Sequence, residues 1–482
     1  GRSHGHARRG RSAARLTVGL AAIAIAASAS AATLHYDVSA ETNLRYHLDC
    51  VSGVINCNRT SFAALWTALP SQDRDTVWLD RWHRLRASIR TRPFRPEPAG
   101  TSPVPFDTAL AGDPAGRSAN TLAEEEVLNV FRDRFETWWR DDAGAADHLR
   151  TFTTGLAHST RTIDLDTRMA ALATFYGVDW RNLGDIPIAL ISADRRYSGA
   201  THGEYRDRAI YVETLINESA FARTATVAHE LAHFVYAASS RAQREQVRAW
   251  FVDSESAVAL PAYALFNEAI ATAFGNGMVE RALIGEERFA RMLRLPQALY
   301  ADTYIDAAGR AAMPLLKQYL DDERELDREF VDAYVAALAE SLGPRLTDQA
   351  FWLRVMVFAS SSSTLWSLND MVANRVRTGS LLQDDIGQGC GTRCLLKRYP
   401  ELPGIVAITH EKLDALRGVV DDRDLAHIRR LSFLHGHAAY AVRRSDRSLL
   451  FIAAGSDDAG VAIALNSMLD FGQIFEGPLP QG

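Results

Sequence analysis

The stretch Thr226-Val227-Ala228-His229-Glu230-Leu231-Ala232-His233 sets two histidines four residues apart in an apolar, helix-forming run that continues through Phe234 and Val235. Residues i and i+4 of a helix project from one face about a turn apart. His229 and His233 therefore present two imidazoles that can share one metal ion, with bonds of roughly 2.0–2.1 Å for zinc. Glu230 follows the first histidine and can reach a water at the metal without being a ligand itself. The plain alternative is a pair of histidines packed on an ordinary helix, and a third ligand would decide between the two. Downstream, Phe266-Asn267-Glu268-Ala269-Ile270-Ala271-Thr272-Ala273-Phe274-Gly275 reads as a second helix carrying a carboxylate.

The first segment has the His-Glu-x-x-His pattern of zinc metallopeptidases. The metzincin extension is absent, because Tyr236 and Ser239 stand where its glycine and third histidine belong. Together with the Asn267-Glu268-Ala269 helix, the pattern resembles the gluzincins, the thermolysin-like zinc peptidases. The resemblance covers two short helices. It implies a zincin-like core, one zinc ion per chain, Glu268 as third ligand after His229 and His233, and water in the fourth position. Two departures stand out. Thirty-four residues separate His233 from Glu268, more than is usual in that family, and Thr272 occupies the place of the family's ligand-orienting aspartate. Glu255 is a rival ligand at a gap of twenty-one residues, but Asp253-Ser254-Glu255-Ser256 reads as a loop.

By the same resemblance Glu230 acts as general base, taking a proton from water and passing it to the leaving amine. The developing oxyanion needs a donor beside the metal. Tyr304 is the expected donor, with Tyr300 close by in sequence; His410, His427, His435 and His437 lie further on. His435 and His437 alternate as strand neighbours would and read as a solvated pair. The strand read over Ala209–Val212 stands where zincins commonly place the cleft edge that pairs with an extended peptide; a plain core strand is the other reading. His202 precedes it and is assigned no role. Trp138-Trp139 reads as a core or interface pair.

The chain has 482 residues, 47% hydrophobic and 23% charged. That is globular composition, enough for a large core and for more than one domain. A net charge of -6 and a pI near 6.2 supply no basic field for nucleic acid. The N-terminus is basic (Arg2, Arg8, Arg9, Arg11, Arg15), followed by apolar Leu16–Ala27 and the small residues Ser28-Ala29-Ser30-Ala31-Ala32. These are the three parts of a secretory signal, so export to a periplasm or the exterior is expected. An uncleaved membrane anchor is the alternative. The four cysteines form two close pairs, Cys50 with Cys57 and Cys390 with Cys394, which in an exported protein read as local disulfides; a four-cysteine zinc site fits their spacing poorly.

The expected fold class is α+β, predominantly helical. Its divisions are a signal (1–31), a helical region (32–92), a proline-rich linker (93–120), the core (121–345) and a helical, then α/β, C-terminal region (346–482). Six of the sixteen prolines fall between Pro93 and Pro114, and this segment could join an inhibitory prosegment to the enzyme. Thr121 and Glu124 resemble a capping box opening a helix. Strands are expected at Ile186–Ile191, Ala209–Val212 and Ile405–Ile408. Residues 220–378 read as helical, a charged helix follows from Glu411, and a hairpin is expected over Ala438–Ala454. The functional expectation is an exported zinc peptidase acting on peptides or proteins. The alternatives are a noncatalytic binding protein on the same scaffold and a zinc hydrolase of a non-peptide amide.

Overall fold

The computed structural model describes residues 32–52, 54, 75–90, 114–142, 145–193, 203–206, 209–215, 218–347, 355–361, 365, 368, 372, 382–387, 389–390, 394–445 and 448–480. The signal segment, most of the proline-rich stretch, Cys57 and His202 lie outside them. The architecture is mixed α and β and predominantly helical. Among the described residues, no helix is long and apolar enough to cross a membrane.

The first sheet is assembled from β1 (Thr33–Asp37), β2 (Asp185–Ser192), β3 (Gly203–Arg206) and β4 (Ala209–Thr214), in the order β1-β2-β4-β3. β1, β2 and β4 run parallel, and β3 pairs antiparallel with β4. The apolar run of β2 fits a strand covered on both faces. All six residues of β4 are buried. β4 is thus interior to the sheet, and β3, not the Ala209–Val212 strand for which the resemblance implied an edge, stands at the sheet edge on that side. The first residues of the block read as helical, Thr33–Asp37, form a strand instead. Five alternating residues show little pattern on their own, and parallel pairing with β2 makes the strand.

α1 (Ala40–Val51) ties this strand into the core. Asn43 Nδ2 donates to Leu190 O at 3.0 Å, and Asn43 Oδ1 accepts from Ser192 N at 2.9 Å. Losing that amide would leave buried backbone groups unsatisfied, at a cost of about 1–3 kcal/mol. Tyr46 also donates to buried Glu213 on β4 at 3.1 Å. α2 (Asp75–Arg90) is clamped to α1 where Trp82 Nε1 and Arg86 Nε both donate to Asp49, at 2.9 and 3.0 Å. α3 (Pro114–Thr137) begins at a proline, whose missing N–H costs nothing in a first turn. Thr121 therefore lies inside the helix, and Glu124 pairs with Arg45 at 2.7 Å instead of closing a capping box. Trp138 and Trp139 are core residues, as expected, with the Trp138 ring 5.5 Å from Phe135.

α4 (Ala145–Thr162) and α5 (Leu165–Phe175) lead to the sheet. α6 (Ala220–Ala238), α7 (Arg241–Val252) and α8 (Ala259–Ala271) follow it. α8 runs into a π-helical segment, Thr272–Val279, before α9 (Glu280–Ile284) and α10 (Glu286–Met292). α11 (Thr303–Asp321) and α12 (Arg328–Leu342) complete the block. Phe251, Phe266, Phe330 and Tyr334 pack edge to face at its centre.

A second sheet has the order β10-β8-β9-β7-β5-β6. Its strands are β5 (Val357–Ser360), β6 (Leu382–Asp385), β7 (Gly404–Thr409), β8 (His437–Ser445), β9 (Ser448–Gly455) and β10 (Gly477–Pro478). β5, β6, β7 and β9 are parallel. α13 (Leu395–Arg398) follows the Cys390–Cys394 disulfide, while α14 (Asp422–His435) and α15 (Asp458–Phe471) pack on the sheet. The expected strand at Ile405 and the expected hairpin are both present. β5 interrupts the stretch read as helical to 378, and a 3₁₀ turn (His410–Leu416) precedes α14 where one helix was expected from Glu411. His435 ends α14 and His437 opens β8, with Gly436 between them at φ 73°, so the two are not strand neighbours.

Because β1 and α1 contribute a strand and buried hydrogen bonds to the first sheet, a chain shortened to begin at residue 93 should lose cooperative unfolding and soluble yield. Thermal melts followed by circular dichroism would test this; a folded, fully active truncation would make residues 33–51 dispensable.

Candidate metal centre

α6 is apolar on nearly every side, which suits a helix enclosed by sheet and helices. Ser219 caps it, its hydroxyl accepting from Phe221 N. Its closest neighbour is the π-helical segment. A methyl placed on Gly275 would lie 2.5 Å from His229 N and 2.7 Å from Ala225 O, so only glycine lets the two backbones approach this closely. That approach sets α8 and its extension beside the two histidines.

His229, His233 and Glu268 are brought together as a group that could hold a metal ion, with one donor atom from each lying within 4.8 Å of the others. His229 Nε2 and His233 Nε2 are 3.1 Å apart. Glu268 Oε2 lies 3.4 Å from His229 Nε2, and Glu268 Oε1 lies 3.5 Å from His233 Nε2. The intervening α7 and the loop after it take up the long gap between the two motifs. Glu255 is exposed in that loop, outside the cluster.

His229 is oriented by a residue that the sequence did not single out. Asn276 Nδ2 donates to Leu299 O at 2.8 Å, which turns Asn276 Oδ1 toward His229 Nδ1 at 3.0 Å. An amide oxygen only accepts, so Nδ1 must carry the proton and Nε2 offers its lone pair to the cluster. Such partners hold a ligand's tautomer and ring plane. Thr272 stands where the gluzincin resemblance implies the orienting group. Its hydroxyl is buried without a hydrogen bond, and a methyl on Gly309 would meet its Cγ2 at 2.6 Å. The wider π turn carries the orienting role to Asn276, and π segments of this kind often accompany functional sites. Nothing in the residue pattern marks where an α-helix widens.

The loop supplying Leu299 also supplies Tyr300. Asp306 Oδ1 accepts from Leu299 N at 2.7 Å, while Asp306 Oδ2 accepts from Arg310 Nε at 2.7 Å. The Tyr300 ring stacks on His229 with centroids 5.8 Å apart and planes 25° from parallel. The charge of Glu268, then burial and Glu230, push the Tyr300 phenol far above its ordinary pKa. It therefore stays protonated and able to donate. Tyr304 is the second residue of α11, its N–H donating to the Asp302 cap, and its ring packs against the helical core.

Glu230 is buried on the same helix. A methyl on Gly203 would fall 2.9 Å from Glu230 Oε1, so β3 crosses directly beside this carboxylate. His410 is hydrogen-bonded to Ser432 at 2.9 Å and His427 packs on Tyr440, both in the second sheet unit with His435 and His437.

Burial opposes charge on His233, but the Glu268 carboxylate outweighs it and raises its pKa to about 9. Burial likewise opposes charge on Glu268, and His233, then His229, outweigh it and hold the carboxyl well below its ordinary range. In the metal-free protein the His233 contribution to stability is complete below the ordinary histidine pKa and is lost as pH rises through about 9. The Glu268 contribution is present above the ordinary carboxylate range and is lost in strong acid.

A metal must displace the His233 proton. Apparent metal affinity should therefore climb roughly tenfold per pH unit up to about 9 and then level, as competition with a chromogenic chelator would record. Asn276→Leu should weaken metal binding by about 10–100-fold, whereas Asn276→Asp should retain it; equal affinities for all three proteins would leave Asn276 without an orienting role. In comparisons with family models, curated proteins and solved structures, nothing matches this chain.

Proposed function

We propose that the protein is an exported zinc peptidase of gluzincin type, with His229, His233 and Glu268 as ligands and Glu230 as general base. The observation that carries this reading is the spacing of the donor atoms. A tetrahedral ion with bonds of roughly 2.0–2.1 Å sets its ligands about 3.3–3.4 Å from one another. The two imidazole nitrogens are 3.1 Å apart, and each lies near that spacing from a different oxygen of Glu268, Oε2 at 3.4 Å from His229 and Oε1 at 3.5 Å from His233, with one donor atom from each residue within 4.8 Å of the others. Glu268 Oε2 is also buried without a hydrogen-bond partner, which suits an oxygen whose partner is a cation. Two imidazoles and one carboxylate are the donor set of catalytic zinc, with one position left open.

A bound zinc ion supplies Lewis acidity, polarising a carbonyl and making water a stronger acid. The remaining work falls to the chain. Glu230 accepts the proton of the attacking water and returns it to the departing amine. The Tyr300 hydroxyl, kept protonated beside two carboxylates, donates to the oxyanion; this assigns to Tyr300 the part first expected of Tyr304. β3 pairs with β4 on one side, and its outer side is suited to an extended peptide added as a further strand. Gly203 keeps that path clear next to Glu230.

The test is cleavage of a mixed peptide library by zinc-loaded protein. Glu230→Gln should lower turnover by about 10²–10⁴-fold while binding the same amount of zinc. Tyr300→Phe should lower kcat by about 10²–10³-fold with little change in KM. Turnover by Glu230→Gln equal to wild type would sink the assignment. Zinc binding without cleavage by any of the proteins would favour a noncatalytic scaffold.

A further inference from the structure

The second sheet unit contains a cavity of about 270 Å³, roughly nine water volumes. It lies where α13, the turn before α14 and the end of β8 meet. Three of its lining groups are charged and have no ion-pair partner among the described residues: Arg444, which is half-buried, and Lys397 and Asp421, which are exposed at the rim. One Arg444 nitrogen donates to Leu396 O, but Nη1 is buried without a hydrogen bond, and Arg444 has no ion-pair partner among the described residues. Burial lowers its pKa to about 10, against the attraction of Glu401. Leaving a charged donor in this state is costly unless something else accepts from it. Lys397 likewise has no ion pair among the described residues, and its Nζ stands beside Gly418, where φ is +75°. Asp421 occupies the cap position of α14, yet its side chain makes no capping bond.

The fourth charged neighbour, Arg443, is neutralised by Glu476 at 2.8 Å. What remains is two cations and one carboxylate around a space walled by Leu396, Val419 and Val442. A lone oxyanion would satisfy the cations but would be repelled by Asp421 and would gain nothing from the aliphatic walls. A hydrocarbon would leave the buried Arg444 nitrogen without an acceptor. A molecule carrying both charges and a short aliphatic group complements every side.

We propose that this cavity binds a free aliphatic amino acid or dipeptide, its carboxylate meeting Arg444 and Lys397, its ammonium meeting Asp421, and its side chain packing on Val419 and Val442. The site stands apart from the His229 cluster and does not depend on the zinc reading. Calorimetry on the full metal-free chain with L-leucine and glycyl-leucine tests it, against leucinamide, N-acetyl-leucine and inorganic phosphate. At least one zwitterion should bind, and removing either of its charges should weaken binding by tenfold or more. Lys397→Ala should weaken binding of the zwitterion and of N-acetyl-leucine, and Asp421→Asn should weaken the zwitterion while sparing N-acetyl-leucine. Both side chains can be changed without opening a core, and circular dichroism would verify the fold. Three outcomes each overturn the proposal: no binding of either zwitterion at tens of millimolar, phosphate or N-acetyl-leucine binding as tightly as leucine, and binding unchanged in both variants.

Discussion

The close passage of two backbones at Gly275 and His229 is the constraint on which the centre depends. A methyl there would lie 2.5 Å from a backbone nitrogen, and such a contact cannot be relieved by turning a side chain. With glycine, the end of α8 and its π extension lie flat against α6. Glu268 then reaches the two imidazoles, and Asn276 reaches the far nitrogen of His229. One contact between helices thus sets one candidate ligand and the group that orients another.

The second support runs through a loop. Arg310 holds Asp306, Asp306 holds Leu299 N, Leu299 O holds Asn276, and Asn276 holds His229. Each bond fixes the direction of the next, so the His229 tautomer follows from a backbone carbonyl seventy residues away. The same loop lays Tyr300 on the His229 ring. A buried polar chain of this kind is rigid when every member is satisfied, and it links α11 to the geometry on α6.

Charge inside the cluster is balanced without metal. Two imidazoles face one partly buried carboxylate, and the His233–Glu268 pair keeps a proton to about pH 9. A buried pair of this sort adds little net stability once desolvation is counted. Any cation bound at the cluster would have to displace this proton.

The histidine pair, its carboxylate neighbour and the helix bearing Glu268 were legible in the residues, because i,i+4 spacing and an apolar face are local properties of a helix. So were the predominantly helical α+β class, the strand at Ile405, the hairpin at its end and the Cys390–Cys394 bridge. Five alternating residues at Thr33 could not announce a strand whose partner lies some hundred and fifty residues on. Which of two neighbouring strands forms the sheet edge depended on pairing partners as well. Asn276 and Tyr300 gained their places from a π turn and a pinned loop, and neither leaves a periodic trace. The sequence by itself determined which groups lie one helical turn apart; tertiary structure decided which groups from distant segments meet them, because that depends on how closely two backbones can approach.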